Sequence, residues 1–203
     1  MNTHIDWNEK YSSKEYLFGT EPNRFLASQK SLLKKGKRCL DVGGGEGRNT
    51  VWLAEQGLVV LSIDQSDVAL KKAQALAQER GVTIGALPVD LFKWVWPQEG
   101  FDVVVSMHVH FNPVQRPLLN KLMYGALAPG GVIIFEAFHP DQMAHDTGGP
   151  KDIDYLVSAQ MLKDDFPEAA FEVLNEVTVQ LPQRPHKPAG PAVVTQAVIR
   201  KPL

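Results

Sequence analysis

The chain has 203 residues, 44% of them hydrophobic and 22% charged, a balance that excludes disorder as the default and leaves room for one sizeable core. With 21 Lys and Arg against 23 Asp and Glu, the formal net charge is −2, so no general pull on nucleic acid is expected. No apolar run is long enough to span a bilayer, no basic-then-apolar leader is visible, and the single Cys39 excludes an internal disulfide or a cysteine metal cluster; a reducing cytoplasm is the expected home.

Five apolar, β-rich runs are predicted in the first two thirds. The first is Arg38 to Val42, ending in glycines. A helix follows from Asn49 to Gln56, stopped by Gly57, and leads to the second strand, Val59 to Asp64. Ser66 is placed to cap a helix carrying Ala69, Leu70, Ala73 and Leu76, with Gly81 as terminator. A weaker third strand spans Thr83 to Asp90, and a fourth runs from Phe101 to Met107. A helix beginning near Pro113 puts Leu118, Leu119, Leu122, Met123 and Leu127 on one apolar face, and Pro129-Gly130-Gly131 introduces a fifth strand, Val132 to Glu136. Continuous aliphatic strands alternating with helices predict a doubly wound α/β fold around a parallel sheet covered on both faces. Glu172 to Leu181 and Ala192 to Arg200 read as an antiparallel pair finishing that sheet. No linker divides the chain, so residues 1–203 are expected to form one domain.

Chemistry shows first at Leu40-Asp41-Val42-Gly43-Gly44-Gly45-Glu46-Gly47-Arg48, a strand, a glycine turn and a helix start. Glycines there admit a ligand close to the backbone, and the helix offers free N–H groups. A dinucleotide fingerprint needs G-x-G-x-x-G, yet counting from Gly43 the third glycine position falls on Arg48. Asp41, an acid just before the turn, repels a pyrophosphate but suits a cationic amino-acid ligand, directly or through water. Asp64, at the end of the second strand, is placed to accept both ribose hydroxyls, and Asp90 an adenine amino group, with Leu91 and Phe92 beside the ring. Together these residues mark the carboxyl ends of three successive strands, where open α/β sheets bind ligands.

These residues resemble the class I S-adenosylmethionine-dependent methyltransferases. The resemblance implies a Rossmann-like, seven-stranded, mostly parallel sheet with an antiparallel C-terminal strand. It implies S-adenosylmethionine as cofactor, with contacts from Asp41, Gly43, Gly44, Gly45, Asp64, Gln65, Asp90, Leu91 and Met107. The family motif often has Cys where Gly44 stands, a departure expected to matter little because contacts there come from backbone. Trp7-Asn8-Glu9-Lys10-Tyr11, Tyr16-Leu17-Phe18-Gly19, Glu21-Pro22-Asn23, His110, Gly148-Gly149-Pro150 and His186 are similar to the tellurite-resistance and thiol-methyltransferase-like group. That narrower likeness implies that residues 1–23 form a lid and that the acceptor is a small thiol or metalloid anion; the charge balance and the lack of a long apolar run add the expectation of no nucleic acid or membrane partner. It leaves the oligomeric state open.

Methyl transfer needs aligned reactants more than a base when the acceptor is already anionic. His110 is the expected catalytic residue, acting by position or local charge; His108 and His139 stand at equivalent strand ends, and a structural role is equally open to all three. Arg48 is expected as a solvated helix arginine, with attraction of an anionic acceptor or of the donor's carboxylate as the alternative, and Tyr11, Tyr16 and Phe18 either as a lid or as a staple. Two other functions remain open at this point: a nicotinamide-dependent oxidoreductase and a non-catalytic cofactor-binding protein.

Overall fold

The aliphatic runs become strands that pair in the predicted sense. The computed structural model describes residues 6–184 and 187–203. Its strands are β1 (Arg38–Val42), β2 (Val59–Asp64), β3 (Gly85–Pro88), β4 (Phe101–Met107), β5 (Leu127–Phe138), β6 (Ala170–Leu181) and β7 (Gly190–Arg200). They form a seven-stranded sheet ordered β3-β2-β1-β4-β5-β7-β6. The first five strands are parallel, and β7 enters antiparallel between β5 and β6. The order reverses between β1 and β4, so the crevice for a ligand opens at the carboxyl ends of those strands.

Helices cover both faces. They are α1 (Trp7–Lys10), α2 (Arg24–Ser28), α3 (Arg48–Glu55), α4 (Asp67–Glu79), α5 (Gln115–Ala126) and α6 (Ala159–Asp165). Alternation along β1 splits the core in two: Leu40 and Val42 pack with Leu119 and Met123 of α5, whereas Cys39 packs with Leu26 and Leu53 of α2 and α3. Cys39 is free and fully buried, and burial pushes its thiol up, as an inert core cysteine requires.

The departures from expectation have local causes. The predicted third strand shrinks to Gly85–Pro88 because it is the sheet edge and mostly exposed. The fifth lengthens to Leu127–Phe138, taking in Gly130, whose φ of +73° accommodates the bend. Leu118 does not join the buried face of α5 and is 53% exposed, because Leu119, Met123 and Ala126 define a stripe one residue away. The helix α2 was not foreseen; it is set by Asn23, whose side chain accepts from the Leu26 N–H.

Candidate active site

The glycine turn joins β1 to α3, and its geometry explains two of its glycines. Gly47 caps α3 at φ +88°, and a Cβ there would sit 2.6 Å from the Ala73 Cβ, so α3 and α4 meet through it. A Cβ at Gly44 would lie 2.1 Å from Ser62 Oγ and 3.0 Å from Asp41 Oδ2. The expectation that a side chain at 44 matters little is therefore corrected: Ser62 occupies that space in this chain.

Asp41 is 1% exposed and lies against Gly44, and its Oδ2 accepts from Thr50 Oγ1 at 2.6 Å, so one carboxyl oxygen braces the turn. Burial pushes its pKa up to about 7, against the pull of the Thr50 hydrogen bond, with nearby Asp64 adding to the rise.

Asp64 ends β2 and reaches across to the turn. Its Oδ2 accepts from Gly45 N–H at 2.9 Å and its Oδ1 from Ser66 N–H at 2.8 Å. Burial raises its pKa while these backbone donors oppose the rise. A carboxylate has about four acceptor sites, so these backbone donors leave acceptor capacity for a ribose hydroxyl. Gln65 is exposed beside it. Asp90 is exposed just beyond β3, where it accepts from Phe92 N–H at 2.9 Å and pairs with Lys93 at 3.1 Å. The Phe92 N–H, followed by Lys93, holds its carboxyl below the usual range against a small burial effect. Leu91 is buried, its carbonyl accepting from Trp96 Nε1 at 2.8 Å. Met107 packs its side chain with Phe25, Leu26 and Val105, which leaves its main chain as the part that borders the crevice.

The N-terminal segment crosses this crevice. Asp6 caps α1, Asn8 Oδ1 accepts from Ser66 Oγ at 2.6 Å, and Tyr11 is buried with its hydroxyl near Gly45. Burial raises the Tyr11 pKa, so the phenol stays neutral. Lys72 donates to the Ser13 and Glu15 carbonyls at 2.9 and 2.7 Å and pairs with buried Glu46, which in turn accepts from Leu17 N–H at 2.7 Å. Glu46 and Lys72 were missed by sequence reasoning. A solvated Lys on an amphipathic helix has no signal that marks it as a latch.

A second cluster lies after β4 and β5. His108 adopts φ +59°, its N–H donates to the Glu136 carbonyl at 2.7 Å, and its Nε2 lies 3.0 Å from Glu136 Oε1. Asn23 Nδ2 and Gln196 Nε2 also donate to Glu136, at 2.6 and 2.7 Å. Burial pushes the Glu136 carboxyl up, but His108, Gln196 and Asn23 outweigh it and hold the group below its ordinary value. His110 Nδ1 lies 2.9 Å from the Tyr155 carbonyl, which can only accept, so Nδ1 carries the proton. Burial, aided by His108, pushes the His110 pKa down to about 3, despite the Tyr155 bond. Phe138 stacks on the His110 ring at 5.6 Å and lies tilted by 34° against the His108 ring at 4.7 Å.

Arg184 arrives from the loop between β6 and β7. It donates to the Thr147 carbonyl at 2.8 Å, sits over the Phe18 ring and borders Gly148. Arg48 is largely enclosed, and burial, with Arg184 next, lowers its pKa, correcting the expectation of a solvated arginine. Four buried side-chain atoms have no hydrogen-bond partner among the described residues: Ser106 Oγ, His108 Nδ1, His110 Nε2 and Arg184 Nε. His139 is not part of this set. Its Nδ1 accepts from Asp141 N–H and its Nε2 faces Glu176 at 3.2 Å, a helix-capping role. His186 and residues 1–5 lie outside the described residues. Glu136 was legible in principle, since it is an acid closing an aliphatic strand, the same signature as Asp64. Arg184 carried no such signal.

Residues 39–131 match the model of a family described as "Methyltransferase domain". A "Ubiquinone biosynthesis O-methyltransferase" of Coxiella burnetii is 25% identical over 142 residues, 69% of this chain and 60% of that protein. The chain thus spans about 60% of the length of the curated relatives it matches at this level. Among solved structures, TehB from Haemophilus influenzae superposes with a TM-score of 0.73 at 20% identity, over 96% of this chain and 65% of that one. A structure described as "Conversion of a Disulfide Bond into a Thioacetal Group during Echinomycin Biosynthesis" gives 0.76 at 20% identity, over 97% and 91%. The fold is that of the S-adenosylmethionine-dependent methyltransferases.

Proposed function

We propose that this chain is an enzyme that binds S-adenosylmethionine at the carboxyl ends of β1, β2 and β3 and transfers its methyl group to a small-molecule acceptor. The observation that carries this reading is Asp64, held against the glycine turn by Gly45 N–H with carboxylate lone pairs to spare. The cofactor would supply an electrophilic methyl on a sulfonium. The chain's residues would do the rest. Asp64 holds the ribose, with Asp90 and Leu91 bordering the adenine side; the turn Gly43 to Gly45 lets the methionine portion approach, and Gln65 flanks the ribose. Tyr11 and Phe18, latched by Lys72, exclude water from the reacting end. A dinucleotide is disfavoured because Arg48 breaks the glycine pattern at its third position and the acid Asp41 before the turn would repel a pyrophosphate.

The acceptor is proposed to be a small nucleophile taken up beside Phe138. The thiol or metalloid anion implied by the sequence resemblance is one class; a hydroxyl is the second, favoured by the unpartnered histidine nitrogens and by the names of the curated relatives. Thermal shift with S-adenosylhomocysteine and with NADH tests the cofactor assignment: the former is expected to raise Tm and the latter to leave it unchanged. Radiolabelled donor with thiols, phenols, selenite and tellurite then tests transfer. A protein stabilised by NADH alone sinks the reading.

A further inference from the structure

Methyl transfer to a neutral hydroxyl forms a C–O bond, breaks the methyl–sulfur bond and releases the hydroxyl proton. A neutral thioether leaves, and the proton needs a base within hydrogen-bond reach. Two histidines flank Phe138, and they are not equivalent. His110 spends its Nδ1–H on a main-chain carbonyl and has no carboxylate behind it, so a proton arriving at Nε2 would create a buried cation beside His108. His108 has Glu136 behind it.

We infer that His108, oriented by Glu136, is the general base of this site and that the acceptor is a small molecule whose nucleophile arrives as a neutral hydroxyl. This rests on the proposed methyl-transfer reading. The Nε2 of His108 faces Glu136 Oε1 at 3.0 Å, so the Nε2 proton is donated to the carboxylate and the Nδ1 lone pair is left free. That Nδ1 is buried and has no partner among the described residues. Glu136 cannot turn away, because Asn23 and Gln196 hold both of its oxygens. His108 is also one of two non-glycine residues at positive φ among the described residues, at +59°, a conformation that costs free energy and persists where the surroundings impose it. The main-chain bond from His108 N–H to the Glu136 carbonyl, 2.7 Å long, locks that conformation and ties base and carboxylate to one another twice.

The acceptor proton therefore passes to His108 Nδ1, and the imidazolium is stabilised by Glu136 until it loses its Nδ1 proton to solvent. His110 Nε2 and Arg184 Nε, the neighbouring unpartnered atoms, position the acceptor. Phe138, buried against both imidazoles, holds the two rings in place beside that position.

The test uses 4-methylphenol, neutral near pH ~8, and 4-methylbenzenethiol, largely ionised there, so the two acceptors differ in whether a proton must be removed. His108→Gln is expected to lower kcat for the phenol by ~10²–10⁴-fold and for the thiol by a factor of about three or less, with unchanged affinity for S-adenosylhomocysteine. His110→Gln is expected to raise KM for both and to spare kcat. Equal losses for the two acceptors in His108→Gln overturn the base assignment. So does a wild-type protein that binds S-adenosylhomocysteine but leaves the phenol unmethylated. A wild-type protein that binds no S-adenosylhomocysteine overturns the underlying reading as well. Should His108→Gln fail to fold, ¹⁵N NMR of the wild-type imidazoles decides. Protonated Nε2 and bare Nδ1 at His108 support the inference, and the reverse tautomer overturns it.

Discussion

The two halves of the crevice are built on different principles. On the β1–β2 side, Asp41, the glycine turn, Asp64 and Ser66 lie within 26 consecutive residues and satisfy one another through backbone N–H groups and Thr50. On the β4–β5 side, Asn23, His108, His110, Glu136, Phe138 and Arg184 come from segments far apart in the chain. All four unpartnered buried side-chain atoms among the described residues lie at the end of β4, in the loop that follows it, or on Arg184. Buried polar groups are usually satisfied, and a cluster of exceptions marks a place where a ligand is expected. On the proposed reading, the first half is the frame that holds the cofactor and the second is the side that takes the acceptor.

The frame half breaks most strongly at Asp41. Its carboxyl has an ordinary value of 3.8 and is pushed up to about 7 by burial. Between those values the folded protein holds a proton that the unfolded chain has lost, so stability falls as pH rises through that window and levels off above it. Asp41→Asn removes the penalty. Urea titrations at pH ~8 should find the variant more stable, by at most roughly 4 kcal/mol, and near pH ~4 the two should converge. A variant with an unchanged pH dependence means that Asp41 is not the proton-holding group.

Gly44 comes next. The Cβ of Gly44→Ala would meet Ser62 Oγ at 2.1 Å, and overpacking of this kind costs about 1–3 kcal/mol. In a Ser62→Ala background the cost should shrink, and a double-mutant cycle measures the coupling. Additive effects show that the turn relaxes elsewhere.

Asp64→Ala tests the frame as a binding device. Charge-assisted bonds to ribose are worth about 1.5–3 kcal/mol each, so calorimetry should find affinity for S-adenosylhomocysteine reduced by more than about tenfold. The loss of the Gly45 and Ser66 contacts also loosens the turn, and Asp64→Asn, which keeps an acceptor oxygen, separates the two contributions.

This contrast also explains what was legible in the sequence. The frame follows from local rules: apolar runs make strands, glycines turn the chain, Ser66 caps α4 and an acid closes β2, so its residues could be named from spacing alone. Secondary structure departed from local preference at the edge strand β3 and at Leu118, where position decides, and the short helix α2, set by the Asn23 cap, escaped a reading based on apolar periodicity. The acceptor half was legible only in part. His108 and His110 both follow a strand end, and the family resemblance singles out His110. What distinguishes them is the Glu136 carboxylate, brought up by sheet register, and a positive φ that no histidine announces. Asp41 was legible as the acid of the turn, but the bond that its Oδ2 takes from Thr50 depends on packing that spacing does not show.

The segment from Asp6 to Asn23 joins the two halves, and its attachments are unequal. Asn23 is fixed by Asn49 and Glu136 inside the core. Tyr11 and Trp7 stack at 5.5 Å, and Phe18 touches Tyr11 and Arg184, but apart from Tyr11 this stretch has little fully buried surface. Its polar ties converge on Lys72, which holds the Ser13 and Glu15 carbonyls and Glu46 at once. A stretch held by a few polar ties, from Lys72, Glu46 and Ser66, and by few buried contacts opens at low free-energy cost. Bound cofactor would add contacts with Tyr11 beside Gly45 and shift the segment towards its closed state, as an active-site lid does. Hydrogen exchange across Trp7 to Phe18 should therefore slow on adding S-adenosylhomocysteine, while α4 and α5 change little. Lys72→Met should speed exchange in the ligand-free protein and restore part of the protection when ligand is present. Identical protection with and without ligand would make the segment a static wall, and entry to the acceptor side would then have to come past Gly148 and Arg184.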